Sequence, residues 1–474
     1  MEKHKPLWTS YFIAKSLNLE LKFSKNNTFS SLNTNSRLTK PNSLFIAIKG
    51  EKFDGHDFIT QAIANGASGI LCSQDYMNIH QTSIQAQLFP VQNTLMAFRL
   101  LAKTWRKQFS IPIIAIGGSV GKTTTKELVA SMLHGKYKNI LKTQGSQNGF
   151  IGIPMTLVEL NSSHEIAIIE IGIDEIGAMK NHLETVAPTH GLITTIGPEH
   201  IERLLNIKTV AQEECLLLKE IFNRGGQIAV NQDDQWILKT LKPVFKKNIS
   251  SKNIIYFSFN KKNHSTLTGK YFFNKNKIKI SAPNKKQFTF NLPLMGTHNA
   301  HNFLGAFALL RFFDLSQKQI KLGLKTFLPP EGRSQITKLN RNIVILDYYN
   351  ANPDSMKAAL ELLSNTTKKE SFACLGDMLE LGSKELIYHQ NLSTWIKKFK
   401  INNIFLYGKL MKALLQKLKQ IKYKGMYEHF SSQEALTNKL LSTIRADSII
   451  LIKGSHGMKM ENIWYEIKRR LKNK

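Results

Sequence analysis

The sequence has no apolar run long enough to cross a membrane. Its longest, such as Ile111-Pro112-Ile113-Ile114-Ala115-Ile116, fall far short of the roughly 18–20 residues a spanning helix requires, so membrane insertion is not expected. Cysteine is scarce: Cys72, Cys215 and Cys374 are odd in number and far apart. That suits neither a disulfide framework nor a CxxC metal knuckle, and points to a reducing cytoplasm. Met1-Glu2-Lys3-His4-Lys5-Pro6 is charged but is not followed by an apolar stretch with a small-residue cleavage site, so secretion is not expected. Acidic residues are also few, 34 against 65 Lys and Arg, for a formal net charge of +31. The lysines are dispersed and interleaved with asparagine, as in Phe273-Asn274-Lys275-Asn276-Lys277-Ile278-Lys279, with no zinc finger or RNA-binding aromatic pattern nearby. A generally lysine-rich surface is expected, and no nucleic-acid partner.

What remains is the composition of a folded globular protein, with 42% hydrophobic and 9% aromatic residues. At roughly 100–200 residues per domain, 474 residues suggest about three domains. The pattern is α/β throughout. Residues 43–48 form a short apolar strand, followed by a helix over 58–65 that closes on Gly66, and a second helix spans 93–107. Strands over 111–116, 166–171, 191–196 and 227–230 then alternate with helices over 126–133 and 210–222, which predicts a parallel sheet covered by helices. Residues 261–286 read as a basic antiparallel excursion, and Pro329-Pro330-Glu331-Gly332 as a linker. Strands over 343–346, 372–375, 404–407 and 448–452, with helices over 355–363 and 409–418, make a further Rossmann-like unit. The expected domains are 1–90, 91–329 and 330–474.

The most specific local pattern is Gly117-Gly118-Ser119-Val120-Gly121-Lys122-Thr123-Thr124-Thr125, between an apolar strand and a helix. A strand feeding a glycine-rich turn and a helix N-terminus aims backbone N–H groups at a phosphate. Lys122 would reach the terminal phosphates, and the Thr123 hydroxyl would help hold Mg²⁺. The position six before Lys122 is Ile116, so this is a short relative of the GxxxxGK[ST] loop; an ordinary glycine-rich turn is the plain alternative. Glu170 and His200 follow strands at the edge where open parallel sheets bind ligands, and their oxygen and nitrogen donors suit Mg²⁺. Taken alone, each could equally be a strand-end charge or a packing histidine.

From this loop onward several motifs, taken together, resemble the Mur ligases of peptidoglycan synthesis. Asn148-Gly149-Phe150-Ile151-Gly152-Ile153-Pro154, Ile169-Glu170-Ile171-Gly172, Ile196-Gly197-Pro198-Glu199-His200 and His298-Asn299-Ala300-His301-Asn302 occur in the family's order. Asp347-Tyr348-Tyr349-Asn350-Ala351-Asn352-Pro353-Asp354-Ser355-Met356 and Gly376-Asp377-Met378-Leu379-Glu380-Leu381-Gly382 are similar to the branch that adds D-alanyl-D-alanine to UDP-N-acetylmuramoyl-tripeptide. Ser36-Arg37, Asp54-Gly55-His56 and Lys453-Gly454-Ser455 extend the resemblance over nearly the whole chain.

The resemblance implies an ATP-dependent amide ligase, most simply a cytoplasmic monomer, that works through an acyl phosphate. ATP would be cradled by Gly118, Ser119, Val120, Gly121, Lys122, Thr123 and Thr124. Asn302 and Asp347 would contact adenine or ribose, and Arg333 the phosphates. Mg²⁺ would be held by Thr123, Glu170 and His200. Ser36, Arg37, Asp54, Gly55 and His56 would hold the UDP end of the substrate. Asn148 would contact substrate, and Tyr349, Asn350 and Asn352 would line the dipeptide side. Some positions depart from the pattern. Asn35, Ser146, Gly149, Thr195 and Asp174-Glu175-Ile176 replace the family's usual residues and touch on substrate contacts. Glu214 stands fourteen residues after His200, where the family commonly has a lysine that can be carbamylated. It either supplies the second metal's anion directly or is a surface glutamate. A Mur-type ligase with another amino substrate, a nucleotide-binding paralogue without ligase activity and a nucleic-acid-stimulated ATPase remain the rival readings.

Overall fold

The structure, a computed structural model, describes residues 8–20, 26–50, 53–80, 85–245, 252–261, 265–366 and 370–472. The N-terminal Met1–Pro6 stretch lies outside them. The chain divides into two compact units, Met1–Ala115 with Tyr137–Ile173 and Gly177–His190, and Ile116–Lys136 with Asp174–Ile176 and Gly191–Lys474.

The first unit contains a four-stranded, all-parallel sheet in the order Leu32–Asn33, Ser43–Ile46, Ala67–Ser73, Gln87–Val91. The apolar run of Ser43–Ile46 is buried along its length because it is an inner strand, and Phe45, Ile70 and Cys72 pack against Ile59 and Ala62 of the helix Ile59–Ala64. The helix Thr94–Arg106 begins where Asn93 Oδ1 accepts the Met96 N–H at 2.9 Å. Its apolar face buries Phe98, Leu101 and Trp105, and Trp105 stacks on Trp8 with ring centroids 3.9 Å apart. The same unit holds the strands Ile113–Gly117, Ile166–Glu170 and Ile140–Lys142 side by side in that order, the last two residues of the first strand belonging to the second unit.

In the second unit, the strands Gln227–Asn231, Ile254–Ser258 and Leu267–Phe272 are parallel, and Lys277–Ser281 and Gln287–Asn291 then each pair antiparallel to the strand before. The antiparallel excursion expected over 261–286 therefore starts one strand late. Leu267–Phe272 still runs parallel to its neighbour, and the chain reverses only at the turn where Asn276 takes φ 43°. The remaining sheet has the order Gln335–Leu339, Asn342–Asp347, Ile449–Lys453, Ser371–Gly376, Asn403–Tyr407, Met426–Phe430, parallel except for the first strand. The last strand of the chain is thus inserted between Asn342–Asp347 and Ser371–Gly376, making a topological switch point at the C-terminal strand ends, where α/β sheets bind ligands.

Two boundaries near the phosphate loop differ from the sequence expectation for one reason. The helix expected from Lys126 runs Lys122–Leu133, and the strand expected to reach Ile196 is His190–Ile193. The backbone of both flanking segments is committed to the loop: the Thr194 N–H donates to the Gly117 carbonyl at 3.1 Å and the Ser119 N–H to that of Thr195 at 2.7 Å. No helix among the described residues is long and apolar enough to cross a membrane.

Candidate active site

The phosphate loop needs its glycines. Gly118 and Gly121 have φ of 113° and 91°, a region that L side chains rarely enter. A Cβ on Gly118 would strike the Thr194 hydroxyl and backbone, and one on Gly121 the Asn302 amide. The loop is tied from beneath: the Thr194 hydroxyl donates to the Val120 carbonyl at 2.6 Å, and Ser119 Oγ accepts the Gly197 N–H at 3.0 Å. Gly121 is the N-cap, so the first amides of the twelve-residue helix Lys122–Leu133 open onto the loop. Lys122, Thr123 and Thr124 are all buried. The Lys122 ammonium folds back over the loop, donating to the Gly118 carbonyl at 2.5 Å and lying 3.2 Å from Glu199 Oε2.

Glu214 lies directly under this loop. It is fully buried on the apolar stripe of the helix Ile207–Asn223, in step with Val210, Leu217 and Ile221. The Gly118 N–H donates to its Oε2 at 2.8 Å, and a Cβ on Gly117 would press on that same oxygen. The surface reading of Glu214 therefore fails. Burial pushes its carboxyl up to about 7, against the pull of Lys122 and the Gly118 N–H. Its Oε1 has no hydrogen-bond partner. His200, with φ 48°, places Nδ1 2.6 Å from Glu380 Oε2 and Nε2 3.8 Å from Glu199 Oε1.

At the switch point, Asp347 and Lys453 are register partners on adjacent strands, with Lys453 Nζ 2.6 Å from Asp347 Oδ2. Asp347 Oδ1 accepts the Ser334 N–H at 2.7 Å, and Ser334 Oγ is 3.1 Å from His298 Nε2. Burial lowers His298 to about 4 and keeps it neutral. Arg333 lies over the Tyr349 ring, 3.9 Å from its centroid. Lys453 also donates to the Asn350 carbonyl at 2.9 Å, while the Asn350 side chain accepts the Ala351 N–H. Asn352 is used locally: its Oδ1 accepts the Ser355 N–H at 2.9 Å at the start of the helix Pro353–Thr366. Asn302 Oδ1 stands against Gly121, so this residue of the helix Thr297–Leu310 does border the loop.

In the first unit, Glu170 ends its strand buried, its Oε1 accepting from Asn148 Nδ2 at 2.8 Å and its own N–H donating to Thr143 Oγ1 at 3.0 Å. Among the residues expected at the UDP end, His56 has a defined tautomer. The Ser73 N–H donates to its Nε2 at 2.9 Å, so Nδ1 carries the proton and gives it to Asp54 Oδ1 at 2.6 Å. Against desolvation, the His56 N–H and ring hold the Asp54 carboxyl below its ordinary range. Gly55 has no room for a side chain, since a Cβ would meet the Ile48 backbone at 2.6 Å. Buried Ser36 donates to Gln61 Oε1 at 2.7 Å, and exposed Arg37 bonds Asn35 Oδ1 through its backbone and guanidinium.

Glu199, Glu380 and Lys453 carry contacts that the sequence reading did not assign. All three stood inside recognised motifs: Glu199 is beside His200 and Lys453 ends its strand, whereas Glu380 had only its motif, four residues past the strand Ser371–Gly376, as a signal. Among the described residues, no three His, Cys, Asp or Glu side chains gather to hold a metal. The donors present in the second unit, the Thr123 hydroxyl, the Glu214 carboxylate with its orphaned oxygen and the His200 imidazole, fit Mg²⁺, which keeps waters and takes much of its coordination from phosphate oxygens.

Comparison with known proteins matches this layout. The chain fits the models of the Mur ligase family catalytic domain over residues 28–106, the Mur ligase middle domain over 116–310, and the Mur ligase glutamate ligase domain over 332–456. It is similar to the UDP-N-acetylmuramoyl-tripeptide–D-alanyl-D-alanine ligases of Synechocystis sp. (36% identical, over 79% of this chain and 78% of that one) and Haemophilus influenzae (30%, over 97% and 98%). The fold is shared with MurF of Acinetobacter baumannii at a TM-score of 0.84 (24% identity, 98% and 99% covered). It is also shared with MurF of Thermotoga maritima, solved with ADP, at 0.77 (20% identity, 94% and 98% covered). With family segments in the order of the phosphate loop, the Glu199-His200 turn and the Asp347–Lys453 switch point, and relatives at 30% identity or more over most of both chains, the chain belongs to the Mur ligase family.

Proposed function

We propose that the protein joins D-alanyl-D-alanine to the terminal carboxylate of UDP-N-acetylmuramoyl-tripeptide with conversion of ATP to ADP and phosphate. The observation that carries this reading is the braced loop with its buried lysine: Gly118 and Gly121 at positive φ, helix amides facing the loop, and the Lys122 ammonium folded over it. Such a site binds and neutralises a triphosphate, and phosphoryl transfer depends chiefly on positioning and charge.

In the first step a carboxylate oxygen of the tripeptide attacks the γ-phosphorus and the bond to the β-phosphate oxygen breaks, giving an acyl phosphate and ADP. In the second, the free amine of the dipeptide adds to the acyl carbon, loses a proton, and expels phosphate as the amide forms. Lys122 exchanges Glu199 for the transferring phosphoryl group. Thr123, Glu170, His200 and Glu214 would hold Mg²⁺, which supplies charge neutralisation at the phosphates. Asn302 and Asp347 are assigned to adenine and ribose, and Arg333 to the phosphates. Tyr349, Asn350 and Asn352 line the dipeptide side, with Asn352 contributing mainly by starting its helix. Ser36, Arg37, Asp54, Gly55 and His56 take the UDP end, and Asn148 holds Glu170 in place. The domains are taken as 1–90, 91–329 and 330–474, in a cytoplasmic monomer.

The test is phosphate release with Mg-ATP, UDP-N-acetylmuramoyl-tripeptide and D-alanyl-D-alanine, each omitted in turn. Release that requires all components, with a UDP-pentapeptide detected by mass, is the expected result. Release with ATP alone would overturn the assignment.

A further inference from the structure

The side chains Glu380, His200, Glu199 and Lys122 form a row. Glu380 Oε2 is 2.6 Å from His200 Nδ1, His200 Nε2 is 3.8 Å from Glu199 Oε1, and Glu199 Oε2 is 3.2 Å from the Lys122 ammonium. Three members belong to the segment matched as the middle domain, and Glu380 comes from the glutamate ligase segment. Both ends of the 2.6 Å contact sit on unusual backbone: His200 has φ 48° and Glu380 φ 63°, neither being glycine. The loop bearing Glu380 is fitted to its neighbour, since a Cβ on Gly382 would lie 3.6 Å from the Glu202 backbone. A second junction stands close by, where the Asp354 carboxylate packs against Gly197, whose N–H is held by Ser119 of the phosphate loop.

We propose that Glu380 is the positioning residue for His200, delivered by the ligase domain. An imidazole offers two nitrogens, and a carboxylate on Nδ1 keeps the proton there, leaving Nε2 as the basic atom. Here Nε2 is the nitrogen on the side of Glu199 and Lys122, where the nucleotide's phosphates and their Mg²⁺ would lie. The Glu380 side chain is more than half exposed, and a contact so open to solvent adds little stability. The contact's value is therefore orientation: His200 presents Nε2 in a fixed direction only while the 379–382 loop is docked, so the metal site of the middle domain is completed by the domain that binds the amino substrate. This inference rests on the Mg-nucleotide reading of the loop.

The experiment compares the full-length protein with Glu380→Ala and Glu380→Gln. The glutamine carbonyl can still accept the Nδ1 proton, whereas alanine cannot. Calorimetric ADP binding is measured across a Mg²⁺ titration, alongside kcat and KM for ligation and the melting temperature. The expected result is that Glu380→Ala needs about tenfold more Mg²⁺ for half-maximal ADP binding and loses turnover by a similar factor, with the KM for dipeptide unchanged. Glu380→Gln recovers most of both, and all three proteins melt alike. A Glu380→Ala protein with the wild-type Mg²⁺ midpoint, or a Glu380→Gln protein as impaired as the alanine variant, would overturn the proposal. Wild-type ADP binding indifferent to Mg²⁺ would overturn the metal reading itself, and this inference with it.

Discussion

Glu170 and Glu214 are both buried glutamates proposed above as magnesium ligands, the first from the family resemblance and the second in place of the family's lysine, yet the fold holds them in different ways. Glu170 ends a strand and is fixed by a side-chain amide, Asn148 Nδ2 at 2.8 Å. Glu214 lies in mid-helix and is fixed by the phosphate loop itself, through the Gly118 N–H at 2.8 Å. The strand-end carboxylate takes its geometry from its own strand and from Asn148. The helical one is part of the loop's support, and the loop is shaped around it: Gly117 has no room for a Cβ because the Glu214 carboxylate fills the space. A single residue type at two places is therefore expected to fail differently, one in chemistry alone and the other in chemistry and loop geometry together.

The largest effect should come from Glu170→Ala. Losing an anion that balances the metal at phosphoryl transfer is expected to lower ligation by about 10²–10³-fold, with nucleotide affinity changed far less. Retention of more than a tenth of wild-type turnover in the phosphate-release assay would remove Glu170 from the metal's ligands. Glu214→Ala and Glu214→Gln come next, and their difference is the informative quantity. Alanine strands the buried Gly118 N–H, at a cost of about 1–3 kcal/mol in stability, and should raise the KM for ATP. Glutamine restores an acceptor without the charge, so it should recover the melting temperature but not the turnover. Full activity in the glutamine variant would make Glu214 a brace only. Added bicarbonate should leave the wild type unchanged, because a glutamate needs no carbon dioxide to be an anion. Smaller again is Asn148→Ala, expected to cost about tenfold in kcat by loosening Glu170, with ADP affinity retained.

These contrasts mark where sequence reasoning reached and where it stopped. Apolar runs and helical periodicity located most strands and helices, and the glycine-lysine-threonine run located the loop, because each of these is a local pattern. The helix start at Lys122 was hidden by Thr123, Thr124 and Thr125, whose weak helix preference masks a first turn held by the loop. The Asp347–Lys453 pair is separated by more than a hundred residues and exists only because the last strand inserts between two earlier ones. The Lys122–Glu199 contact depends likewise on how two turns meet. Glu214 was more legible than the surface reading allowed: a glutamate in step with Val210, Leu217 and Ile221 interrupts an apolar stripe, which itself argues for a buried partner.

The comparison of buried groups extends to acid stability, where the expected effects are smallest and differ in sign. Burial lowers His182 in the first unit and His298 in the second to about 4. Below the ordinary histidine value the unfolded chain takes up protons that the folded protein refuses. The stability these residues provide is therefore complete above about pH 6.5 and is lost as pH falls toward 4. Glu214 behaves oppositely, since burial raises it to about 7. The folded protein then holds a proton that the unfolded chain releases near the ordinary carboxylate value, so its contribution grows as pH falls from 7 to about 4.5. Melting temperatures measured between pH 7.5 and 4 should accordingly fall less steeply in His298→Gln, which removes a destabilising proton uptake. They should fall more steeply in Glu214→Gln, which removes the opposing gain. Each change is about 1.4 kcal/mol per pH unit at most, and parallel curves for all three proteins would show that neither group is held away from its ordinary titration by the fold.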